Sequence, residues 1–165
     1  VAMNVSARWQ TKRWAAASFA AVATQLAALG IGPLVVIGGP DEREASGLVR
    51  SLTACPVVDL TGETTIGLLP ALLSKACVLI TNDSGPMHVA AAVGRPVVSI
   101  FGPTSAVRTG PYGAGHTVLT HDLPCRPCFS RVCRDAVPME CLESITPEQV
   151  MAAVVSRQSC RAVSR

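Results

Sequence analysis

Aromatic residues make up only 4% of these 165 residues, and they are not interleaved with lysines in any stripe on which bases could stack. Net charge is also small: the formal +3 comes from scattered arginines rather than a basic tract. Together these features exclude a nucleic-acid reader and leave only a modest preference for an anionic ligand. No apolar run approaches the ~18 residues that span a bilayer. The longest candidate, residues 15–29, is interrupted by Ser, Thr and Gln and reads as an amphipathic helix of a soluble protein. An initiator methionine and a signal-peptide charge pattern are missing as well. The chain opens on Val1-Ala2-Met3-Asn4-Val5, already strand-like, so the natural start is expected further upstream.

Aliphatic residues fill the space that aromatics leave. With 49% hydrophobic residues, the core is built from Ala, Val, Leu and Ile, the usual filling of a parallel sheet covered by helices. The length suits one domain with a core of its own. Apolar runs of strand length at 1–5, 34–37, 57–59, 78–81, 97–101 and 117–119 alternate with helical stretches at 15–29, 41–52, 66–75 and 85–93, and a last helix at 147–155. Strands separated by single helices run parallel with right-handed crossovers, which predicts an α/β fold with a doubly wound, Rossmann-like sheet. Ligands of such sheets bind at the carboxyl ends of the strands. The loops that matter are therefore 6–14, 38–42, 60–65, 82–88 and 102–115.

The most informative of them follows the fourth strand. In Thr81-Asn82-Asp83-Ser84-Gly85-Pro86-Met87-His88-Val89-Ala90-Ala91 an apolar strand enters a short acidic turn and then a helix. Ser84 occupies the N-cap position, Pro86 is tolerated in the first turn, and the N–H groups of Gly85 and Met87 are expected to face outward with the positive end of the helix dipole. This is an anion site. Asp83 would hold sugar hydroxyls or merely tie down its own turn. His88, one turn on, points back toward the same helix end, although a single helical His is more often structural.

Two other loops add charge. Ser6-Ala7-Arg8-Trp9-Gln10-Thr11-Lys12-Arg13-Trp14 sets cations between two indoles ahead of a helix, which suits an anion or, more plainly, a solvated basic turn. Gly38-Gly39-Pro40-Asp41-Glu42 places carboxylates where they could accept from ribose hydroxyls, or where they simply oppose a helix dipole.

Taken with Ser99-Ile100-Phe101-Gly102-Pro103-Thr104, these motifs resemble the C-terminal half of glycosyltransferase family 9, the lipopolysaccharide heptosyltransferases. The likeness runs over essentially the whole chain in order. The closing segment, from Cys125 through Cys141 to Ile145-Thr146-Pro147-Glu148-Gln149-Val150, looks most like the heptosyltransferase II branch. The resemblance implies a GT-B architecture of two Rossmann-like domains, with the C-terminal one holding the nucleotide sugar. It also implies inverting, metal-independent transfer of heptose from ADP-heptose to the lipopolysaccharide inner core, with no cofactor required for catalysis.

Carried over by position, Lys12 matches a lysine at the diphosphate. Ser84 and Gly85 match the phosphate-binding turn, Asp83 and His88 lie near the donor sugar, and Glu42 corresponds to the ribose contact. Residues 1–155 would form the donor-binding domain, including a Cys-rich loop at 122–144, and 156–165 a basic tail. The carboxylate base would come from an N-terminal domain that these residues do not include, so this segment alone is expected to bind donor without transfer. A cytoplasmic setting follows, peripheral at the inner membrane if the basic tail leans on an anionic face. Two alternatives stay open: a GT-B enzyme for another nucleotide sugar, and a truncated, non-catalytic nucleotide-sugar binding domain.

Cysteine, by contrast with the aromatics, is abundant, with seven residues. Cys125, Cys128, Cys133 and Cys141 share one Pro-rich loop with Cys-x2-Cys-x4-Cys-x7-Cys spacing, which matches neither a standard zinc finger nor a ferredoxin repeat. Free thiols or labile disulfides come first, a structural zinc ion next, and an iron-sulfur site well below. A cytoplasmic setting argues against disulfides. Cys55 and Cys77 are expected in the core, and Cys160 in the tail.

Overall fold

The computed structural model describes residues 1–156. Its centre is a sheet of six parallel strands in the order β3-β2-β1-β4-β5-β6. These are β1 (Ala2–Asn4), β2 (Val35–Ile37), β3 (Val58–Asp59), β4 (Leu79–Asn82), β5 (Val97–Phe101) and β6 (Thr117–Thr120). The doubly wound sheet expected from the alternation of strands and helices is thus the observed fold. β4 and β5 are buried at every position. Continuous burial needs cover on both faces, and the chain supplies it.

One face carries α1 (Ala16–Ala28), α2 (Arg43–Leu52) and, after the short α5 (Ala106–Thr109) and α6 (Glu140–Glu143), α7 (Pro147–Val155); the other carries α3 (Leu69–Leu73) and α4 (Gly85–Ala92). Successive strand residues feed opposite cores, as a two-residue period demands. Met3, Ile80 and Val98 join Phe19, Leu26 and Val154 on the first face, whereas Ala2, Leu79 and Val97 join Leu73 and Met87 on the second.

The first core has a polar anchor. Trp14 is 2% exposed, meets Phe19 edge-on at 5.0 Å between ring centroids, and donates its indole N–H to the Ile145 carbonyl at 2.9 Å. Its own backbone N–H donates to the Asn82 side-chain oxygen at 3.0 Å, so one residue joins the entry of α1 to β4 and to the turn before α7. α7 starts where sequence chemistry puts it. Thr146 and Gln149 form a reciprocal capping box, with Pro147 in the first turn.

Some boundaries differ from expectation. The helix predicted over 66–75 shortens to Leu69–Leu73. Pro70 fits only a first turn, so residues before Leu69 form a turn closed by Leu68 donating to Thr65 at 3.0 Å. The helix predicted from Asp41 starts instead with a 3-10 turn, Pro40–Glu42, and becomes regular at Arg43. The short α5 and α6 carry no apolar period that a sequence pattern could detect. Residues 157–165, with most of the predicted tail and Cys160, lie outside the described residues. Cys55 and Cys77 are half-buried against the first core, close to their expected place.

Replacing Trp14 by Phe keeps the ring packing but leaves the buried Ile145 carbonyl without its donor. The expected cost is about 1–3 kcal/mol, read as a lower urea midpoint at unchanged slope.

Candidate functional site

The strand order reverses between β1 and β4, which are neighbours in the sheet although α1, α2 and α3 separate them in the chain. A crevice must open at that point, because the connections leave in opposite directions. Two buried asparagines shape it. Asn4 ends β1, level with Ile37 on one side and Thr81 on the other. Its amide donates to the Ile37 carbonyl at 3.2 Å, and its side-chain oxygen accepts the Ser84 hydroxyl at 2.7 Å. Asn82 ends β4. Besides accepting the Trp14 N–H, it donates to the Ser6 carbonyl at 3.3 Å. The loops after β1 and β4 are thereby fixed to each other from both strand ends.

Ser84 takes the expected N-cap position but uses its side chain elsewhere. Its backbone sits at the N-cap position, but its side chain makes no cap bond, being spent on Asn4 and lying 3.0 Å from the Thr81 hydroxyl. Met87 also departs from expectation, since its N–H donates to the Ser84 carbonyl at 3.2 Å rather than facing outward. Among the described residues the Gly85 N–H keeps no intramolecular partner, at the positive end of α4. A Cβ at Gly85 would meet no atom within 4 Å, so the approach to that helix end is open.

The crevice is a cleft of about 740 Å³ that brings together Lys12, Glu42, Asp83, Ser84, Gly85 and His88, every donor-site residue expected from the sequence. Lys12 and Asp83 are partners, with Nζ 2.6 Å from Oδ2 and the carboxylate only 6% exposed. The Thr104 hydroxyl donates to the same oxygen at 2.7 Å. Asp83 thus does more than tie down its own turn. Glu42 turns one oxygen back to accept the Gly39 N–H at 2.9 Å. That fold-back requires glycine at position 38, where a Cβ would stand 2.5 Å from Glu42 Oε2. His88 is exposed on the cleft wall.

Arg8, Arg13 and Asp41, which the sequence offered only as members of the two charged loops, line the same cleft, as does Asn4, which sequence reasoning missed. A polar residue in an otherwise apolar strand was the available signal for Asn4. A second, mostly apolar cleft of about 320 Å³ adjoins the first through Gly39, Glu42, Gly85 and Pro86, and is walled by Ile66, Leu69 and Val89.

The Cys-rich segment packs against this site. Arg126 donates to the carbonyls of Gly102, His121 and Phe101, and Phe129 N–H donates to Pro103 at 2.8 Å. Cys125, Cys128, Cys133 and Cys141 line one small cavity of about 30 Å³. Cys141 belongs to α6 and is buried, which pushes its thiol up. Among the described residues no three His, Cys, Asp or Glu side chains are arranged to hold a metal ion. Cys125 donates to the Asp135 carboxylate, and this bond pushes its thiol up to about 11 while holding Asp135 below its ordinary value. No helix among the described residues is long and apolar enough to cross a membrane.

An open helix end at the switch point of a doubly wound parallel sheet defines a Rossmann-like α/β protein. The profile of "Glycosyltransferase family 9 (heptosyltransferase)" matches residues 1–137, and the chain belongs to that family. It is 33% identical over 147 residues to a lipooligosaccharide heptosyltransferase 2 of Campylobacter jejuni, covering 85% of this chain and 44% of that protein. It is 32% identical to lipopolysaccharide heptosyltransferase 1 of Pseudomonas aeruginosa, over 76% of this chain and 35% of that one. The structure of Escherichia coli ADP-heptose lps heptosyltransferase II superposes with a TM-score of 0.78 at 28% identity, over 94% of this chain and 45% of that chain. A family 9 glycosyltransferase of Veillonella parvula superposes at 0.81 with 33% identity, over 94% and 44%. The chain spans less than half the length of the curated relatives it matches.

Two outcomes follow from this geometry. Asp83→Ala leaves Lys12 without its partner in a largely enclosed site, and a stability loss of about 3 kcal/mol is expected in urea unfolding. Alkylation of Cys125, followed by peptide mass spectrometry, is expected to climb with pH and level off only above about 11. At pH 8 only ~0.1% of a thiol with that value is thiolate, so Asp135→Asn, which removes the raising group, should speed alkylation there roughly ten-fold or more.

Proposed function

We propose that residues 1–155 form the donor-binding domain of an inverting, metal-independent heptosyltransferase that transfers heptose from ADP-heptose to the lipopolysaccharide inner core. The observation that carries this reading is the convergence of Lys12, Ser84, Gly85, Glu42 and His88 on one cleft at the switch point. The diphosphate would lie against the Gly85 N–H and the Lys12 ammonium, where the dipole of α4 and a full positive charge add. Glu42 has one oxygen engaged with Gly39 and the other available for ribose hydroxyls. The adjoining apolar cleft beside Ile66, Leu69 and Val89 suits the flat face of a base. The heptose would then point toward His88 and Asp83.

The chemistry is a displacement at the anomeric carbon. An acceptor hydroxyl oxygen forms the new bond to that carbon as the bond to the β-phosphate oxygen breaks, and the hydroxyl proton passes to a carboxylate base. In this reading the base belongs to a second, N-terminal Rossmann-like domain outside this chain, completing a GT-B pair. About one additional negative charge develops on the leaving diphosphate, and without a metal ion it is met by Lys12 and the helix end. Removing one such donor typically costs 10²–10³ in rate. The setting would be cytoplasmic, at or near the inner membrane where the acceptor is built. For the four cysteines, the reading is a loop of free thiols, with a structural zinc ion as the alternative; metal analysis of protein purified without chelator decides between them.

Titration calorimetry with this chain tests the donor assignment. ADP and ADP-heptose are expected to bind more tightly than UDP, GDP or their sugars, and Lys12→Ala should weaken ADP by ten-fold or more. Equal affinity across the three nucleoside diphosphates would move the protein to another donor class. Turnover of ADP-heptose with acceptor by these residues alone would overturn the division of labour.

A further inference from the structure

Trp9 does not line the cleft, yet its ring centroid lies 4.7 Å from the Lys12 ammonium. The two residues share one 3-10 turn, in which the Trp9 carbonyl accepts the Lys12 N–H at 3.1 Å. A second cation, Arg131 of the Cys-rich segment, stands with its guanidinium carbon 5.1 Å from the same ring centroid. Next to it, the Ser130 carbonyl accepts the Thr11 hydroxyl at 2.8 Å, pinning the turn to that segment.

We propose that Trp9 is a positioning residue for Lys12, and that Arg131 sets where Trp9 stands. This rests on the reading of Lys12 as the diphosphate contact. A lysine stem has four rotatable bonds and loses substantial freedom when its ammonium is confined. Asp83 confines it by a hydrogen-bonded ion pair, but that carboxylate also competes with an incoming anion for the ammonium's donors. The indole holds the ammonium through its quadrupole instead. It carries no net charge to repel a diphosphate and consumes none of the three N–H donors. When the ligand draws Lys12 away from Asp83, the ring is the neighbour that still limits how far the ammonium can swing. The Cys-rich segment reaches the site through this stack, although none of its cysteines lines the cleft.

The test compares ADP with adenosine, which lacks phosphate, on the same chain. Trp9→Leu is expected to weaken ADP about five-fold and leave adenosine unchanged, Trp9→Phe to recover most of the loss, and Arg131→Ala to produce a smaller loss of the same kind. In a chain that binds ADP more tightly than adenosine, unchanged ADP affinity in Trp9→Leu, or equal losses for ADP and adenosine, would overturn the proposal. Lysine side-chain NMR of the free protein decides the matter without any ligand. Ring currents should shift the Lys12 ε-methylene upfield, and the shift should collapse in Trp9→Leu and persist in part in Trp9→Phe. An unshifted Lys12 in the unsubstituted chain refutes the positioning role. A shifted Lys12 in a chain that binds adenosine and ADP equally refutes the diphosphate reading and leaves the positioning role standing.

Discussion

The buried side chain of Asn4 couples three parts of the molecule that a parallel sheet would otherwise leave independent at its open end. Its amide reaches the last carbonyl of β2, and its oxygen takes the Ser84 hydroxyl from the turn ahead of α4. A buried carboxamide is costly unless its hydrogen-bonding capacity is used, so this contact selects one arrangement of the two loops and penalises others. Asn82 repeats the device from the neighbouring strand, holding the first loop by Ser6 and Trp14. The strand ends at the order reversal are thus cross-tied, and the crevice between them keeps its shape without a ligand. The same bond draws the Ser84 hydroxyl away from the helix N-terminus. The first turn then has few free donors: Pro86 has no N–H, Met87 N–H is taken by the Ser84 carbonyl, and the Gly85 N–H, which a side-chain cap does not reach, stays open.

Electrostatics in the cleft are balanced rather than simply positive. Arg8, Lys12 and Arg13 face Asp41, Glu42 and Asp83 across the same space. Asp83 is the most enclosed of these groups, and it is met by both Lys12 and Thr104 at Oδ2. An anion entering the site would therefore not find a free ammonium. It would share one already oriented, trading part of the Asp83 contact for phosphate oxygens while Thr104 continues to satisfy the carboxylate. Such an exchange keeps a charge from standing unpaired in a low-dielectric site at any stage, which is where the largest penalties arise. Preorganisation of this sort is what a site needs if its donors are to act on charge that develops only during bond breaking.

Much of this was legible in the chain because it is local. Strand and helix order follows from apolar period and punctuation, and the topology then follows from right-handed crossovers, so the loops at the carboxyl ends could be named before their positions were known. The six residues that the resemblance picked out within those loops do line one cleft. What escaped depends on pairs far apart in sequence. Nothing near Ser84 indicates that its hydroxyl bonds to a residue 80 positions earlier, so the N-cap rule, which is local, places Ser84 correctly but does not foresee where its side chain goes. Thr104 and Asp83, Thr11 and Ser130, and Trp9 and Arg131 are of the same kind. The shortened α3 failed for a different reason: its apolar pattern extends past a proline that only a first turn accepts.

The Cys-rich segment is tied to the site by residues other than its cysteines. Its cysteine spacing draws attention to metal or disulfide chemistry, yet its firmest attachments involve other residues. Arg126 spreads its guanidinium over the carbonyls of Phe101 and Gly102 at the carboxyl end of β5 and of His121 just after β6, and Phe129 and Ser130 meet Pro103 and Thr11. A segment bonded at both the β5 end and the first loop becomes a brace between Thr104 and Lys12, the two residues that converge on Asp83. Any process that changed the packing of Cys125, Cys128, Cys133 and Cys141 around their small cavity would act on the site through that brace, without a cysteine approaching the ligand. The contacts between this loop and the cleft thus run through backbone carbonyls and one indole ring.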